Sequence, residues 1–134
     1  MYIFRERGGF MIYFFVGIAG MLGAIVRYLI GLTLLTDAVF PFATLSINLI
    51  GSFLLAWLTT SVFQAISISP AMKTAIGTGF VGSFTTFSTV SVETIELFQS
   101  GKVSLGILYI FVSIVGGMIM CRLGFKTKVE VKSC

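Results

Sequence analysis

Four long apolar stretches, approximately Phe10 to Leu35, Phe42 to Ile66, Ala71 to Phe98 and Val103 to Phe125, take up most of this chain. Each has the length of ~20 residues that an α-helix needs to cross a hydrocarbon core of about 30 Å. The segments between them are brief and polar: Thr36-Asp37 with Pro41, Ser67 to Pro70, and Gln99 to Lys102. Lipid offers no water to backbone N–H and C=O groups, so such stretches must satisfy them by their own helical hydrogen bonds. The pattern predicts an all-α membrane protein of four transmembrane helices, a single membrane domain over 1–134 with no extramembrane part. Composition agrees, with 10% charged residues against about 25% in soluble domains. The first stretch outruns the roughly 7–15 apolar residues of a secretory signal and lacks a small-residue cleavage site after it, so it is expected to remain as the first helix.

An even number of spans puts both termini on one side. That side holds Arg5, Arg7, Lys73, Arg122, Lys126, Lys128 and Lys132, while Arg27 and Lys102 fall on the other. Seven cations against two predict, by the positive-inside rule, cytoplasmic termini and a multi-pass protein of the inner or plasma membrane. Were Met11 the start, five against two would weaken the bias without reversing it. The net charge of +4 comes from cations beside helix ends and in the C-terminal tail, so lipid headgroups rather than nucleic acid are the expected partner.

Catalysis has little to work with. The chain has no His, and its carboxylates Glu93 and Glu96 have no companion base in a plausible membrane site. Cys121 lies inside the fourth stretch and Cys134 at the last position, so neither a disulfide between them nor a metal-ligand spacing is expected. GTGFVG at Gly77 to Gly82 lacks the glycine pattern and preceding strand of a nucleotide-binding fingerprint.

Polar residues recur inside the spans with helical spacing. Gly17, Gly20, Gly23 and Ala24 on the first give a surface that another helix can approach closely. Arg27, near that helix's far end, either snorkels to headgroups or stands at the mouth of an aqueous vestibule. On the second, Thr44, Asn48 and Ser52 fall on one face, with the Asn48 amide either joining two helices or facing something wet or ionic. On the fourth, Tyr109, Ser113 and Gly117 form a stripe expected to face inward.

The third stretch is the anomaly. GTGFVGSFTTFSTVSVE, Gly77 to Glu93, has three glycines, a run of hydroxyls and a carboxylate, and neither Leu nor Ile. Each glycine costs about 1 kcal/mol in a helix interior, so a break near the middle of this helix is predicted. Irregular backbone at membrane depth is tolerated only where protein or a cavity surrounds it, and its freed carbonyls attract cations while freed amides attract anions. A glycine-rich packing surface without an ion is the other reading. Phe84 and Phe87 then run beside Thr86, Thr89, Glu93 and Glu96, and the electropositive edge of a phenylalanine ring can accompany an anion. Four spans are too few to surround a substrate, so an oligomer is implied. Hydroxyls, an amide and ring edges within it would replace the water of a small anion with neutral donors.

At this point the chain resembles the Fluc (CrcB) fluoride channels over nearly its whole length. The residues that carry the resemblance are GMLGAIVRY at Gly20 to Tyr28, TLSINLIGS at Thr44 to Ser52, GTGFVGSFTTFST at Gly77 to Thr89 with Glu93 beyond, and the pair Tyr109 and Ser113. The resemblance implies a passive, highly selective fluoride channel that lowers cytoplasmic fluoride. It implies an antiparallel dimer with two fluoride pathways and a structural sodium ion at the dimer interface, held by the backbone carbonyls of Gly82 and Thr85 from each subunit. It places Asn48, Phe87, Ser88, Thr89, Tyr109 and Ser113 along the fluoride pathway with Thr44 close by, Glu93 on the same track, and Arg27 near a vestibule.

One position departs from the family. Its usual TTFSTF has a second phenylalanine, and here Val90 stands in that place, without a positive ring edge. With the one-sided charge count, this opens the alternative that the chain is one half of a heterodimer with a related subunit of opposite orientation. A proton-coupled small-ion or drug exporter built from four-helix subunits is a further alternative, and a noncatalytic membrane scaffold a third.

Overall fold

The computed structural model describes residues 3–33 and 38–127, with side chains from Gly9 onward in the first of these segments. The side chains of Arg5 and Arg7, the stretch 34–37, Lys128, Lys132 and Cys134 lie outside the described residues, and with them part of the charge asymmetry. Helix α1 covers Ile3–Thr33. Helix α2 covers Phe42–Trp57 and runs on through a π-turn at Leu58–Val62 into the short α3, Phe63–Ala65. The third segment comprises α4 (Pro70–Thr74), a π-helical stretch Ala75–Val81, α5 (Gly82–Phe84) and α6 (Phe87–Gln99). Helix α7 covers Val103–Lys126.

Local chemistry sets these boundaries. Ser69 caps α4, its hydroxyl accepting from Met72 N at 3.3 Å, and Pro70 fills the first helical position where its missing N–H costs nothing. Gly101, at φ 76°, reverses the chain after α6. There Lys102 N donates to Leu97 O at 2.9 Å and Gly101 N to Phe98 O at 3.1 Å, the two bonds of a Schellman cap.

Among the described residues, three helices are long and apolar enough to cross a membrane: Gly9–Thr33, Phe42–Ala65 and Val103–Lys126. The third segment is not one continuous helix. It stays helical through all of its glycines, with Gly82 N donating to Gly77 O and Gly79 O, and leaves helical torsions at Thr85 (φ −82°, ψ 157°) and Thr86 (φ −149°, ψ 123°). The backbone around Gly77 and Gly79 therefore widens to a π-helix instead of opening, which relocates the weak point that the glycine content suggests. The physical reason is packing: a Cβ on Gly79 would lie 2.7 Å from Val16 O, so the glycine is needed for close approach to α1.

At Thr85 and Thr86 the third segment also changes partner. Ala75–Val81 and α5 pack against α1, whereas α6 packs against α7, which in turn lies along α2. A Cβ on Gly124 would come within 2.6 Å of Phe53 O, so the α2–α7 seam depends on small residues as well. Leu45, Leu97 and the fully buried Tyr109 form a small core where α2, α6 and α7 meet, with Phe40, Leu49 and Val90 against it. Large apolar side chains such as Phe14, Ile18 and Met21 on α1 and Phe111, Ile114 and Met118 on α7 point outward. That distribution suits a chain solvated by lipid, where apolar exposure carries no penalty. This is a multi-pass, all-helical membrane protein.

Candidate functional site

A helix end leaves carbonyls without intrahelical donors, and the end of α5 meets this requirement one carbonyl at a time. Thr85 N still donates to Val81 O at 3.1 Å. Ser83 O accepts from Arg27 Nε of α1 at 3.1 Å. Thr86 N, which would donate to Gly82 O in a continuing helix, turns away to Asn48 Oδ1 of α2 at 2.8 Å. Asn48 Nδ2 returns a bond to Thr86 O at 2.9 Å. Beyond the extended pair the Thr86 hydroxyl caps α6, accepting from Thr89 N at 3.2 Å, and sits 3.2 Å from Ser88 Oγ and 3.0 Å from Thr89 Oγ1.

Farther along α6, Glu93 ties three helices together. Thr44 Oγ1 of α2 donates to Glu93 Oε1 at 2.7 Å, and Tyr109 OH of α7 donates to Oε2 at 2.6 Å. Each carboxylate oxygen thus has a hydroxyl donor in a partly buried setting, where leaving one unpaired carries a cost. The Tyr109 ring is held edge-on against Phe40, with centroids 5.5 Å apart.

Three cavities follow this polar line. An open-sided groove of about 650 Å³ is bordered by Asn48, Gly82, Thr85, Thr86, Phe87 and Ser113. A pocket of about 270 Å³ contains Arg27, Thr44, Thr86 and Thr89. One of about 510 Å³ is lined by Glu93, Glu96, Ser100 and Lys102 at the α6–α7 turn. Thr86 borders the first and second, and the Thr44–Glu93 hydrogen bond bridges the second and third. The result is a row of hydroxyl and amide groups in a protein whose outer surface is apolar.

The structure brings Thr44, Asn48, Thr89, Glu93 and Tyr109 onto this line. Ser113 borders the groove with a buried Oγ that has no hydrogen-bond partner. Ser88 is exposed beside Thr86. Phe87 is 85% exposed and stands at the groove's rim, so within one subunit its ring covers nothing. Arg27 neither points away nor stays free; it bonds the end of α5. Ser52, on the Asn48 stripe, donates back to Asn48 O at 2.8 Å. Sequence reasoning puts Thr86 on the hydroxyl face beside Phe84 and Phe87 but assigns it no cap or clamp, and it misses the Ser83 carbonyl. Thr86 left a faint signal as a hydroxyl directly before an apolar helical run, the position of an N-cap, whereas a carbonyl leaves none.

Gly82 and Thr85 carry the question of a cation. Gly82 O receives only a long 3.5 Å approach from Thr85 Oγ1, and a Cβ at Gly82 would meet nothing nearer than Gly77 O at 4.0 Å, so the space before it opens out of the subunit. Neutral carbonyl oxygens at an unwound helix suit sodium, and a single chain offers too few of them to complete a shell. The residues present fit such an ion if a second copy faces them.

The family model described as "CrcB-like protein, Camphor Resistance (CrcB)" matches residues 14–125, a span that contains every residue above. The chain belongs to the CrcB family. Among relatives of this CrcB chain, "Fluoride-specific ion channel FluC 1" of Desulfitobacterium hafniense is 61% identical over 112 residues, 84% of this chain and 98% of the relative. "Fluoride-specific ion channel FluC 1" of Bacillus cereus is 55% identical over 117 residues, 86% of this chain and 85% of the relative. "Fluoride-specific ion channel FluC 2" of Geobacillus kaustophilus is 49% identical over 117 residues, 86% and 91% of the two chains.

Proposed function

We propose that this CrcB protein is a fluoride-selective passive channel that lets fluoride leave the cytoplasm across the inner or plasma membrane. It is not an enzyme. The observation that carries this function is the row of hydroxyl and amide groups from Ser113 and Asn48 through Thr86 and Thr89 to the Glu93-bound hydroxyls of Thr44 and Tyr109, set among helices whose other faces are apolar. Neutral hydroxyl and amide donors replace the water of a small anion without a formally charged side chain in direct contact with it. Identity of up to 61% with relatives named as fluoride-specific channels supports the same choice of ion.

The working unit is an antiparallel dimer. Its support within the chain is the open-sided groove, the outward-facing Phe87, and a Gly82 that nothing in its own subunit requires to be glycine. In the dimer, the Gly82 and Thr85 carbonyls of both copies hold sodium, which supplies a fixed positive field at the centre of an otherwise neutral pathway. Fluoride then passes Phe87, Ser88, Thr89 and Asn48, and leaves past Tyr109, Thr44 and Glu93. Arg27 fixes the end of α5 near the vestibule.

Val90 favours a second assembly. It borders the groove beside Phe87 and packs on the Leu45–Leu97–Tyr109 core, presenting methyl groups where the family pattern has a ring. A related subunit of opposite orientation would supply the missing ring edge. Proteoliposomes loaded with potassium fluoride and followed by a fluoride electrode test the function. Rapid fluoride loss without a proton gradient, and none of chloride, is expected. Loss that requires a proton gradient would make the protein an exchanger, and no loss from this chain alone but recovery with a related subunit would select the heterodimer.

A further inference from the structure

Three successive carbonyls close α5, and they are treated differently. Val81 O accepts from Thr85 N at 3.1 Å and from Thr85 Oγ1 at 3.2 Å. Ser83 O accepts from the Arg27 side chain at 3.1 Å. Gly82 O, between them, has only the 3.5 Å approach of Thr85 Oγ1, although the donor that helical geometry assigns to it, Thr86 N, is the next amide in the chain. That donor is held by Asn48.

We propose that Asn48 is a positioning residue: its amide competes with the helix for the backbone of Thr86 and so keeps the Gly82 carbonyl available to a cation. This rests on the reading of Gly82 and Thr85 as cation ligands. The competition is specific to a carboxamide. Asn48 Oδ1 accepts from Thr86 N at 2.8 Å while Nδ2 donates to Thr86 O at 2.9 Å, so one planar group pairs with both backbone atoms of a single residue. The two bonds also fix which way the amide faces. Asn48 is anchored in turn, because its own carbonyl accepts from Ser52 Oγ at 2.8 Å one turn further along α2. Asn48, Gly82, Thr85 and Thr86 all border the same groove, so the clamp and the carbonyl it releases share one space.

Removing the amide leaves Thr86 N–H without its protein partner. The nearest remedy is the ordinary helical one. Thr86 turns back onto Gly82 O, α5 is extended, and the carbonyl is taken up by a helical hydrogen bond. The loss therefore appears in cation binding even when no fluoride is present, which separates this role from contact with the permeating ion.

The experiment compares thermal unfolding of the purified full-length protein in fluoride-free buffer containing sodium or, in its place, N-methylglucamine. The wild type is expected to gain several degrees from sodium, since a ligand bound only by the folded form raises Tm. Asn48→Asp, measured at a pH where its carboxyl is protonated, keeps both the acceptor for Thr86 N and a donor for Thr86 O and is expected to retain most of that gain. Asn48→Leu, similar in volume but unable to bond, is expected to lose it, with the sodium concentration for half-maximal stabilisation rising about tenfold or more, the scale of one lost hydrogen bond. Should Asn48→Leu not fold, Asn48→Ser, too short to reach Thr86, takes its place with the same expectation. A wild-type gain that survives in Asn48→Leu or Asn48→Ser, or that vanishes equally in Asn48→Asp, overturns the role of Asn48 and leaves the cation site standing. A wild type indifferent to sodium overturns the cation site and the role of Asn48 with it.

Discussion

At the scale of single residues, the function depends on which polar atoms already have partners. Glu93 accepts from Thr44 and Tyr109, so both of its oxygens are satisfied inside the bundle. Tyr109→Phe removes one donor and leaves Oε2 unpaired, a cost of about 1–3 kcal/mol. The expected result is a lower Tm and fluoride efflux reduced about tenfold or more, both measurable on the same preparation. Thr44→Val removes the other donor and is expected to act in the same direction. Arg27→Gln tests a different atom: without the guanidinium, Ser83 O loses its donor from α1. Here a fall in stability of about 1–3 kcal/mol is expected, read as an earlier midpoint in thermal unfolding. Arg27, Asn48, Thr44 and Tyr109 stand out in the sequence because polar groups are expensive in lipid and so are conspicuous there. Their partners do not stand out, because a backbone carbonyl at Ser83 or an amide at Thr86 belongs to every residue alike.

At the scale of elements, the fold is set by where backbones touch. A Cβ at Gly79 would press on Val16 O and one at Gly124 on Phe53 O, whereas one at Gly17 would meet nothing within 4 Å. Gly79→Ala and Gly124→Ala are therefore expected to destabilise by about 1–3 kcal/mol, while Gly17→Ala, unobstructed inside α1, is expected to keep or slightly raise the subunit's stability, as thermal unfolding in detergent would report. These glycines explain why the third segment is helical where its composition suggests weakness. A glycine lowers helix propensity by about 1 kcal/mol, but tight seating on α1 recovers that cost for Ala75–Val81. Where seating on α1 ends, Thr85 and Thr86 become extended, with Asn48 of α2 holding Thr86 and Arg27 of α1 holding Ser83 just before them. Propensity alone points to the glycines; contact between helices moves the extended residues several positions later.

At the scale of the whole molecule, the single chain leaves its groove open on one side, with Phe87 exposed at the rim. The proposed antiparallel dimer would close that groove with a second copy of the chain. In cells, a chain with Lys102→Cys and its native Cys121 and Cys134 replaced by serine should react with a membrane-impermeant thiol reagent at about half of its copies, since two orientations place residue 102 on both sides. Reaction of all copies or of none would instead assign this chain a fixed orientation opposite a related partner. Val90→Phe addresses the same choice: a restored ring edge is expected to raise fluoride efflux from proteoliposomes containing this chain alone.

The sequence by itself determined the solvent, the four apolar segments and the family, because apolar length and the order of GMLGAIVRY, TLSINLIGS, GTGFVGSFTTFST and Tyr109 with Ser113 are properties of the chain read end to end. It also marked most of the polar line, since side-chain chemistry is written residue by residue. Only the tertiary structure decided which donor meets which acceptor. The capture of Thr86 by Asn48, the hold of Arg27 on Ser83 and the two hydroxyls on Glu93 join residues 16 to 56 positions apart. Hydrogen bonds act over about 3 Å, and a linear sequence carries no such distances until helices pack.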